Sequence, residues 1–304
     1  MRIVSLLPSA TEIVCALGLG ESLVGVSHEC DWPPEIVGLP VVTEAKIDVT
    51  QGSADIDVAV RGLVSEGLSV YRIRTDVLAE LKPDLIVTQE QCDVCAVSYN
   101  EVVQATRELL RQPAAIVSLK PVVLRDIFSD FERVAEATDR APAGRSLVAA
   151  IEQRFEHIRE RSSRVRSRPR VVCIEWLSPL MTAGNWVPEL VTMAGGAYNC
   201  GAPGELSATI GWDKLREEAP DVIIVMPCGF KLPQTERELP ELTRRPEWQA
   251  LPAVRNRRVY AIDGNSYVNR PGPRIAESGE LLAGLIQPGF FASLIPPQSY
   301  TRVA

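Results

Sequence analysis

Two stretches decide the fold of this chain: Lys82-Pro83-Asp84-Leu85-Ile86-Val87 and Ala219-Pro220-Asp221-Val222-Ile223-Ile224. In each, a helical pattern ends at a proline and an aspartate, and an uninterrupted apolar run follows. Proline stops a helix, and a continuous apolar run is typical of a strand that is buried on both faces of a parallel sheet. Because the two stretches occupy equivalent places in the two halves of the chain, we expect the halves to be structural repeats.

Outward from these stretches, short β-branched runs alternate with amphipathic helical patterns, such as strands at 115–119 and 259–262 and a helix at 212–218. This alternation predicts an α/β protein with mainly parallel sheets. The region 122–166 differs because it is almost entirely helical, and 304 residues are enough for two domains. The sequence therefore predicts two Rossmann-like lobes joined by one long helix, with boundaries at 1–138, 139–168 and 169–304.

The N-terminal residues predict a strand over Ile3–Leu7 and then a helix. Ser9 with Glu12 three residues later is the pattern of a capping box, in which Ser9 is the N-cap. We find no basic segment followed by an apolar core of about 10 residues and a cleavage site, as a signal peptide would have. No window reaches the ~18 apolar residues that a transmembrane helix needs. We therefore expect no membrane insertion and a cytoplasmic protein, or an extracytoplasmic one if the sequence is a trimmed form.

The composition narrows the class of partner. The chain has 39 acidic and 32 basic residues and a net charge of −7. This balance argues against a nucleic-acid binder, because phosphate contacts require clustered Lys and Arg. The seven cysteines are an odd number in a long chain, which does not fit the disulfide framework of a small secreted domain.

The functional residues are expected in the loops that follow the strands, because ligands of open parallel sheets bind outside the carboxyl ends of the strands. If the lobes face each other, these loops line one cleft. They contain one of the two histidines and four of the seven cysteines: His28, Cys30, Cys92, Cys95 and Cys228.

The pair Cys92-x-x-Cys95 fits half of a metal site, a dithiol redox pair or plain packing of small apolar side chains. His28, Cys30 and Cys228 are the candidates for further metal ligands, although a histidine that caps its own loop is also common. One hypothesis is therefore a Cys/His-ligated metalloprotein or metal-dependent enzyme with zinc or an iron–sulfur centre. No Walker motif, GxGxxG or HExxH occurs, and no catalytic residue is predicted.

An ordered set of phrases resembles a known family. The phrases are Ile3-Val4-Ser5-Leu6-Leu7-Pro8-Ser9-Ala10-Thr11-Glu12, Leu23-Val24-Gly25-Val26-Ser27, Leu81-Lys82-Pro83-Asp84-Leu85-Ile86, Pro220-Asp221-Val222-Ile223 and Arg270-Pro271-Gly272-Pro273-Arg274. Over essentially its whole length the chain resembles the helical-backbone periplasmic-binding-protein class. The resemblance implies two α/β lobes that bind cobalamin or metal–siderophore complexes in a cleft. It is closest to a cobalamin-binding-like variant group that lacks a signal peptide.

A cobalamin-type ligand gives roles to the remaining loop residues. A corrin is broad, apolar on its faces and fringed with amides, so aromatic walls and a few polar contacts suit it. Trp176 and Trp186 could instead be core, and the arginines could pair with Glu175 or Asp263. The predicted contacts to the ligand are Pro8, Ser9, Trp32, Glu175, Trp176, Trp186, Tyr267, Arg270 and Arg274.

Transport members of the family dock on a membrane permease through one acidic residue on each lobe. The matching positions here are Glu101 and Asp213. Because Asp213 is shorter than the usual Glu, we do not extend permease docking to this chain. The predicted function is a binding protein for cobalamin or a related metal-containing cofactor, with the metalloprotein described above and the substrate-binding component of an ABC importer as the alternatives.

Overall fold

The computed structural model of the chain describes residues 1–66, 68–90, 99–109 and 114–304. Contacts divide the chain into two compact units. The first unit consists of Met1–Gln51, Asp55–Pro121 and Arg125–Ala150. The second consists of Gly52–Ala54, Val122–Leu124 and Ile151–Ala304. The boundaries expected at 138 and 168 remain a prediction.

The first unit is built on a four-stranded sheet in which all strands are parallel. Its strands are β1 (Ile3–Ser5), β2 (Leu23–Gly25), β5 (Leu85–Gln89) and β6 (Ala115–Leu119), in the spatial order β2-β1-β5-β6. A separate antiparallel pair is formed by β3 (Thr43–Ala45) and β4 (Tyr71–Ile73). The strands β1 and β5 are completely buried, as their apolar sequences predict.

Helices alternate with these strands along the chain. They are α1 (Pro8–Ala16), α2 (Ser53–Ser65), α3 (Thr75–Leu81), α4 (Tyr99–Leu109), α5 (Leu124–Ala137) and α6 (Ala141–Ser162). With 22 residues, α6 is the longest helix in the described ranges. Pro142 lies inside its first turn, where a missing backbone N–H leaves no helical hydrogen bond unmade.

The second unit has a mixed six-stranded sheet in the order β12-β11-β10-β7-β8-β9. Its central strands β7, β10 and β11 are parallel, whereas β8, β9 and β12 run antiparallel to their neighbours. The strands are β7 (Val171–Trp176), β8 (Met181–Thr182), β9 (Ala208–Thr209), β10 (Val222–Val225), β11 (Val259–Ile262) and β12 (Tyr300–Arg302). The α/β class is therefore confirmed, with the parallel arrangement complete in the first unit and central in the second.

The helices of the second half are mostly short. They are α7 (Val187–Met193), α8 (Trp212–Glu218), α9 (Leu232–Glu238), α10 (Pro240–Thr243), α11 (Pro246–Gln249), α12 (Pro252–Arg255), α13 (Ile275–Ile286) and α14 (Pro288–Phe291). Trp248 on α11 packs into a core with Val172, Ile223 and Leu242. No helix in the described part of the chain combines the length and the apolar character that crossing a membrane requires.

The two stretches that decide the fold adopt the same local structure. Lys82 ends α3 and Ala219 ends α8, both in the left-handed conformation, with φ of 44° and 43°. Asp84 then accepts a hydrogen bond on Oδ2 from the N–H of Arg2, at 2.7 Å. Asp221 accepts the equivalent bond from the N–H of Arg170, at 2.9 Å. Each aspartate thereby connects the start of one parallel strand to the start of the next.

The predicted capping box at the first helix is wrong. The N-cap of α1 is Leu7, Pro8 is its first residue, and no side chain caps it. Proline is well suited to the first helical position because its φ is already helical, so the helix begins earlier than the Ser9 pattern implies. Ser9 therefore lies within the first turn.

Candidate functional site

The carboxyl end of β1 is the switch point of the first sheet. The neighbour of β1 on one side is β2 and on the other side is β5, so the connections from this edge run in opposite directions. Such points are where open α/β sheets bind ligands. Pro8 and Ser9 begin α1 here, and the Ser9 hydroxyl is buried without a hydrogen-bond partner among the described residues. The hydroxyl and the N-terminal N–H groups of α1 make this a polar position at the switch point.

A chain of hydroxyl groups lies beside α1. Thr11 donates its proton to Ser5 Oγ at 2.8 Å, and Ser5 donates to the carbonyl of Leu7 at 3.0 Å. Cys30 Sγ is 3.1 Å from Thr11 Oγ1. Because the Thr11 proton is directed to Ser5, the Cys30 thiol is the donor in this contact. These bonds fix the loop after β2 against the first turns of α1.

His28 is held by the hydroxyl of Thr43. Both its backbone N–H and its ring Nδ1 contact Thr43 Oγ1, at 3.1 and 2.7 Å. Thr43 donates its own proton to Ser27 Oγ at 3.0 Å, so His28 Nδ1 carries the ring proton and Nε2 keeps its lone pair. Burial lowers the pKa of His28, opposed by the nearby charges of Glu29 and Glu44. The imidazole is therefore neutral at pH 7.

Glu29 and Tyr71 lie on the other side of the His28 ring. The Tyr71 hydroxyl donates to Glu29 Oε1 at 3.1 Å, and the rings of Tyr71 and His28 are 5.2 Å apart. Nε2 of His28 is 3.8 Å from Glu29 Oε1 and has no hydrogen-bond partner in the described ranges. This nitrogen is buried. A neutral imidazole nitrogen with an unbonded lone pair is a common metal ligand, and binding here requires that the ligand gain access to it.

Trp32, four residues after His28, is 44% exposed. A large aromatic side chain at this exposure is a flat apolar surface of the kind that ligands and partners use. Trp32 is the aromatic ligand contact predicted in the first unit, and the structure places it at the surface.

In the second unit, the carboxyl end of β7 is connected to the loop after β10 and to the segment before β9. Glu175 near the end of β7 accepts a hydrogen bond on Oε2 from Ser207 at 2.8 Å, and its carbonyl accepts from the N–H of Cys228 at 3.1 Å. Trp176 packs against Phe230, with ring centroids 5.3 Å apart. The half-buried Trp176 at the end of β7 and the exposed Cys228 in the loop after β10 thus lie close together.

The loops after β10 and β11 are in direct contact. A Cβ at Gly264 would overlap the carbonyl oxygen of Pro227, so only glycine allows this approach. The amide of Asn269 donates to the carbonyl of Met226 at 2.8 Å, and the N–H of Asn265 donates to the carbonyl of Phe230 at 3.0 Å. The loop after β11 is therefore anchored at several points.

Arg270 lies at the end of this anchored loop and is 5% exposed. Its Nη2 donates to Asn265 Oδ1 at 2.9 Å. Arg274 is the N-cap residue of α13. Burial raises the pKa of Tyr267, and the charge of Arg274 opposes the rise. Tyr267 is thus a neutral hydrogen-bond donor close to the cationic side chain of Arg274.

Trp186, predicted as a wall of the ligand site, is instead 4% exposed. Its indole N–H donates to the carbonyl of Val268 at 2.7 Å. Trp186 is the N-cap residue of α7, and its ring is buried in the interior of the second unit. The sequence alone could not distinguish a Trp186 that faces the ligand from one that is buried, because its hydrogen-bond partner Val268 is 82 residues further along the chain.

The predicted metal ligands do not come together as a cluster. The described residues contain no group of three or more His, Cys, Asp and Glu side chains that could hold a metal ion. His28 and Cys30 instead bond to threonine hydroxyls, as described above. Cys92 and Cys95 lie outside the described residues, so the fate of their motif stays a prediction. Among the described residues, zinc and an iron–sulfur centre are without support.

The two acidic residues at the permease-docking positions of the family differ in their exposure to solvent. Asp213 in the first turn of α8 is 87% exposed and pairs with Arg216 at 3.0 Å. Glu101 in the first turn of α4 has one carboxylate oxygen buried.

Comparison with known proteins identifies the family. The periplasmic binding protein family matches residues 3–265 of the chain. The chain belongs to this family. The predicted resemblance is therefore confirmed, and so is the role as a binding protein.

Two relatives and one solved structure illustrate the similarity. An uncharacterized ABC transporter substrate-binding lipoprotein of Bacillus subtilis is 27% identical over 95% of this chain and 81% of its own length. A vitamin B12-binding protein of Vibrio cholerae is 26% identical over 92% of this chain and 86% of its own length. A periplasmic haem-binding protein of Pseudomonas aeruginosa has a TM-score of 0.72 at 17% identity, covering 100% of this chain and 99% of its own. The matched family is periplasmic and the Bacillus relative is a lipoprotein, which favours the extracytoplasmic alternative and does not support the cytoplasmic expectation.

Proposed function

We propose that this chain is the substrate-binding protein of an ABC import system and binds cobalamin or a related corrinoid outside the cytoplasm. The ligand class follows from the similarity to the vitamin B12-binding protein, and the transport role from the similarity to the Bacillus lipoprotein. A corrin ring has broad apolar faces and an amide fringe, so it needs flat apolar surfaces together with a few fixed polar groups.

The observation that carries the proposal is the presence of large aromatic rings at the carboxyl ends of the strands in each unit. Trp32 supplies an exposed ring in the first unit. Trp176, supported by Phe230, supplies a half-buried ring in the second. Aromatic surfaces at these ends suit the faces of a macrocycle better than they suit a small polar solute.

Polar contacts are proposed from the same loops. Arg270 and Arg274, with the neutral hydroxyl of Tyr267, offer donors to the amide oxygens or the phosphate of a corrinoid. Ser9 and the start of α1 at Pro8 offer further donors in the first unit.

Glu175 offers an acceptor in the second unit, where Ser207 fixes its orientation. It suits the N–H₂ groups of the corrinoid side chains, because a carboxylate can accept several hydrogen bonds.

Contacts to the metal of the ligand stay a prediction for His28, Cys30, Cys92, Cys95 and Cys228. His28 has the best chemistry for this role in the described part of the chain. Its pKa is lowered by burial, and Thr43 fixes the tautomer that leaves the lone pair on Nε2. A neutral imidazole is a ligand for cobalt and for iron.

The test is a titration of the purified protein with hydroxocobalamin, followed by visible absorption and by calorimetry. We expect saturable binding in the micromolar range or tighter. Trp32→Ala should weaken binding about tenfold, because stacking on an aromatic ring contributes on the order of 1 kcal/mol. Val37→Ala is the matched control, since Val37 is a strongly exposed apolar residue of the same loop. No spectral change and no heat at tens of micromolar would exclude a corrinoid.

A haem-type tetrapyrrole is the second candidate, favoured by the neutral imidazole of His28. Titration with haemin distinguishes the two ligands. A shift of the haemin absorption band that is lost in His28→Ala, together with no response to hydroxocobalamin, would replace the corrinoid by haem. Binding of hydroxocobalamin with no specific haemin response supports the first proposal.

The extracytoplasmic location has a separate test. We expect cell fractionation of the source organism to recover the protein with the envelope or periplasm. Recovery in the cytoplasm with the bound ligand would contradict the transport role and leave the ligand proposal intact.

A further inference from the structure

The loop after β11 contains a backbone conformation that its residue type disfavours. Val268 has φ of 35°, in the left-handed region, and its side chain is completely buried. A β-branched residue is rarely found there, because its Cβ substituents crowd the backbone. Such a conformation persists only when the surrounding structure holds it in place.

Two buried side chains form hydrogen bonds with the backbone carbonyl and the backbone N–H of Val268. The carbonyl of Val268 accepts from the indole N–H of Trp186 at 2.7 Å, and its N–H donates to Ser278 Oγ at 2.9 Å. Ser278 in turn donates to the carbonyl of Arg274 at 3.0 Å. Trp186 precedes α7 and Ser278 lies on α13, so the turn is fixed by two different helices.

The residues on either side of Val268 are those proposed to contact the ligand. Tyr267 precedes it and Arg270 follows it by two positions. We call residues 267–270 the Val268 turn. The backbone N–H of Asn269 also bonds back to the carbonyl of Tyr267, which tightens the turn. A change of φ at Val268 would therefore redirect the chain between Tyr267 and Arg270.

We propose that Trp186 and Ser278 are positioning residues that hold Val268 in the left-handed conformation and thereby orient Tyr267 and Arg270 for the ligand. The proposal rests on the proposed function for its ligand. The conformational part concerns the free protein and has its own measurement. Trp186 and Ser278 act through the backbone in this arrangement, because the indole N–H bonds to the carbonyl of Val268 and the Ser278 hydroxyl accepts from its N–H.

The first experiment is hydrogen exchange of the free, full-length protein, read on peptides that cover 263–270. Trp186→Phe removes the indole donor and keeps an aromatic ring. We expect this variant to raise exchange in these peptides about tenfold, the effect of losing one buried hydrogen bond. Ser278→Ala should raise exchange in the same peptides. Unchanged exchange in both variants would overturn the proposal, whatever the ligand is.

The second experiment uses Val268→Gly, because glycine adopts a positive φ without steric cost. Hydroxocobalamin affinity is compared among the wild type, Trp186→Phe, Val268→Gly and the double variant. We expect Trp186→Phe to weaken binding about tenfold when residue 268 is valine and less than threefold in the Val268→Gly background. Because the packing lost with the valine is common to both proteins that carry Val268→Gly, it cancels in this comparison. Equal losses in the two backgrounds would contradict the positioning role.

Trp248→Phe is the matched control for the loss of indole volume. Trp248 is as deeply buried as Trp186, in the core of the same unit, and lies on α11. We expect this variant to lower the melting temperature without changing exchange in 263–270 or the affinity. If the wild type does not bind hydroxocobalamin but exchange responds as expected, the proposed ligand is wrong and the conformational role of Trp186 and Ser278 is supported.

Discussion

The amino ends of the strands are alike in the two units, whereas the carboxyl ends are different. At the amino ends, Asp84 and Asp221 accept the same backbone hydrogen bond, from Arg2 and Arg170 respectively. At the carboxyl ends, the first unit combines hydroxyl groups, a thiol and an imidazole with one exposed tryptophan, Trp32. The second unit combines the packed rings of Trp176 and Phe230 with the buried Arg270. The amino ends, which are alike, stabilise the sheet in both units. The carboxyl ends, which differ, carry the residues proposed to bind the ligand.

This difference separates stability from binding. A substitution at an amino end should change the free energy of unfolding and leave affinity unchanged, because these residues are far along the strand from the loops. A substitution among the proposed ligand contacts at the carboxyl ends should change affinity more than stability, and a substitution elsewhere should change stability alone. Four predictions test this division.

The largest effect is expected at Arg270. Arg270→Gln removes a buried guanidinium from the proposed ligand contacts, and we expect hydroxocobalamin affinity to fall by about 100-fold, or roughly 3 kcal/mol. Calorimetric titration measures the loss. Arg216→Gln, on the exposed face of α8, is the control and should bind as the wild type does. Normal affinity in Arg270→Gln would remove this residue from the site.

The second prediction concerns pH and the carboxyl end of β6. Asp130 on α5 is 2% exposed and accepts a hydrogen bond from the N–H of Lys120, the residue after that strand. Burial raises the pKa of Asp130 from 3.8 to about 6, opposed by Arg133 at 2.6 Å. A raised pKa in the folded state means that stability from this group is present below pH 4 and is lost as the pH rises through about 6.

We therefore expect Asp130→Asn to abolish a change of about 2 kcal/mol in the free energy of unfolding between pH 4 and pH 7. Urea denaturation at several pH values measures it. Glu132→Gln, an exposed position on the same helix, is the control. An identical pH profile for Asp130→Asn and the wild type would show that Asp130 does not titrate in this window.

The third prediction concerns Asp221. Hydrogen bonds from the Arg170 side chain, at 3.0 Å on each carboxylate oxygen, lower the pKa of Asp221. Stability from a carboxyl with a lowered pKa is present above its unfolded value and is lost as the pH falls below 3.8. We expect Asp221→Asn to cost about 1 kcal/mol at pH 7 without a change in ligand affinity. A loss of affinity that exceeds the loss of stability would break the division between the two ends.

The smallest effect is expected for Asp84→Asn. Arg2 donates its backbone N–H to Asp84, but its side-chain Nε donates to the carbonyl of Leu81 at 2.8 Å. Asp84 therefore lacks the guanidinium bonds that Asp221 accepts from Arg170. We expect a cost of about 0.5 kcal/mol, measured in the same urea experiment. A cost equal to that of Asp221→Asn would show that the backbone bond alone matters at both places.

The sequence alone predicts the strands and helices of the alternating α/β pattern. The strands at 115–119 and 259–262 and the helix at 212–218 have the predicted bounds, because β-branched runs and helical periodicity are local signals. The sequence pattern does not predict β4, β8, β9 or β12. They are two or three residues long, and their pairing depends on a partner elsewhere in the chain rather than on local preference.

The chemistry of the site was only partly predictable, for a related reason. His28, Trp32 and Arg270 could be named because ligands bind at the ends of parallel strands. The groups that fix them, such as Thr43 for His28, come from distant short elements that gave no pattern. The interior position of Trp186 depends on a hydrogen bond to a residue in another loop, which no local periodicity encodes.

Gly264 has a consequence for how this protein could acquire a new ligand. The loops after β10 and β11 touch where any side chain at Gly264 would overlap Pro227. An insertion or a bulky residue in one loop must therefore be matched by a compensating change in the other. The two loops form one coupled evolutionary unit, and libraries that vary both together should recover folded variants with altered specificity more often than libraries that vary either alone.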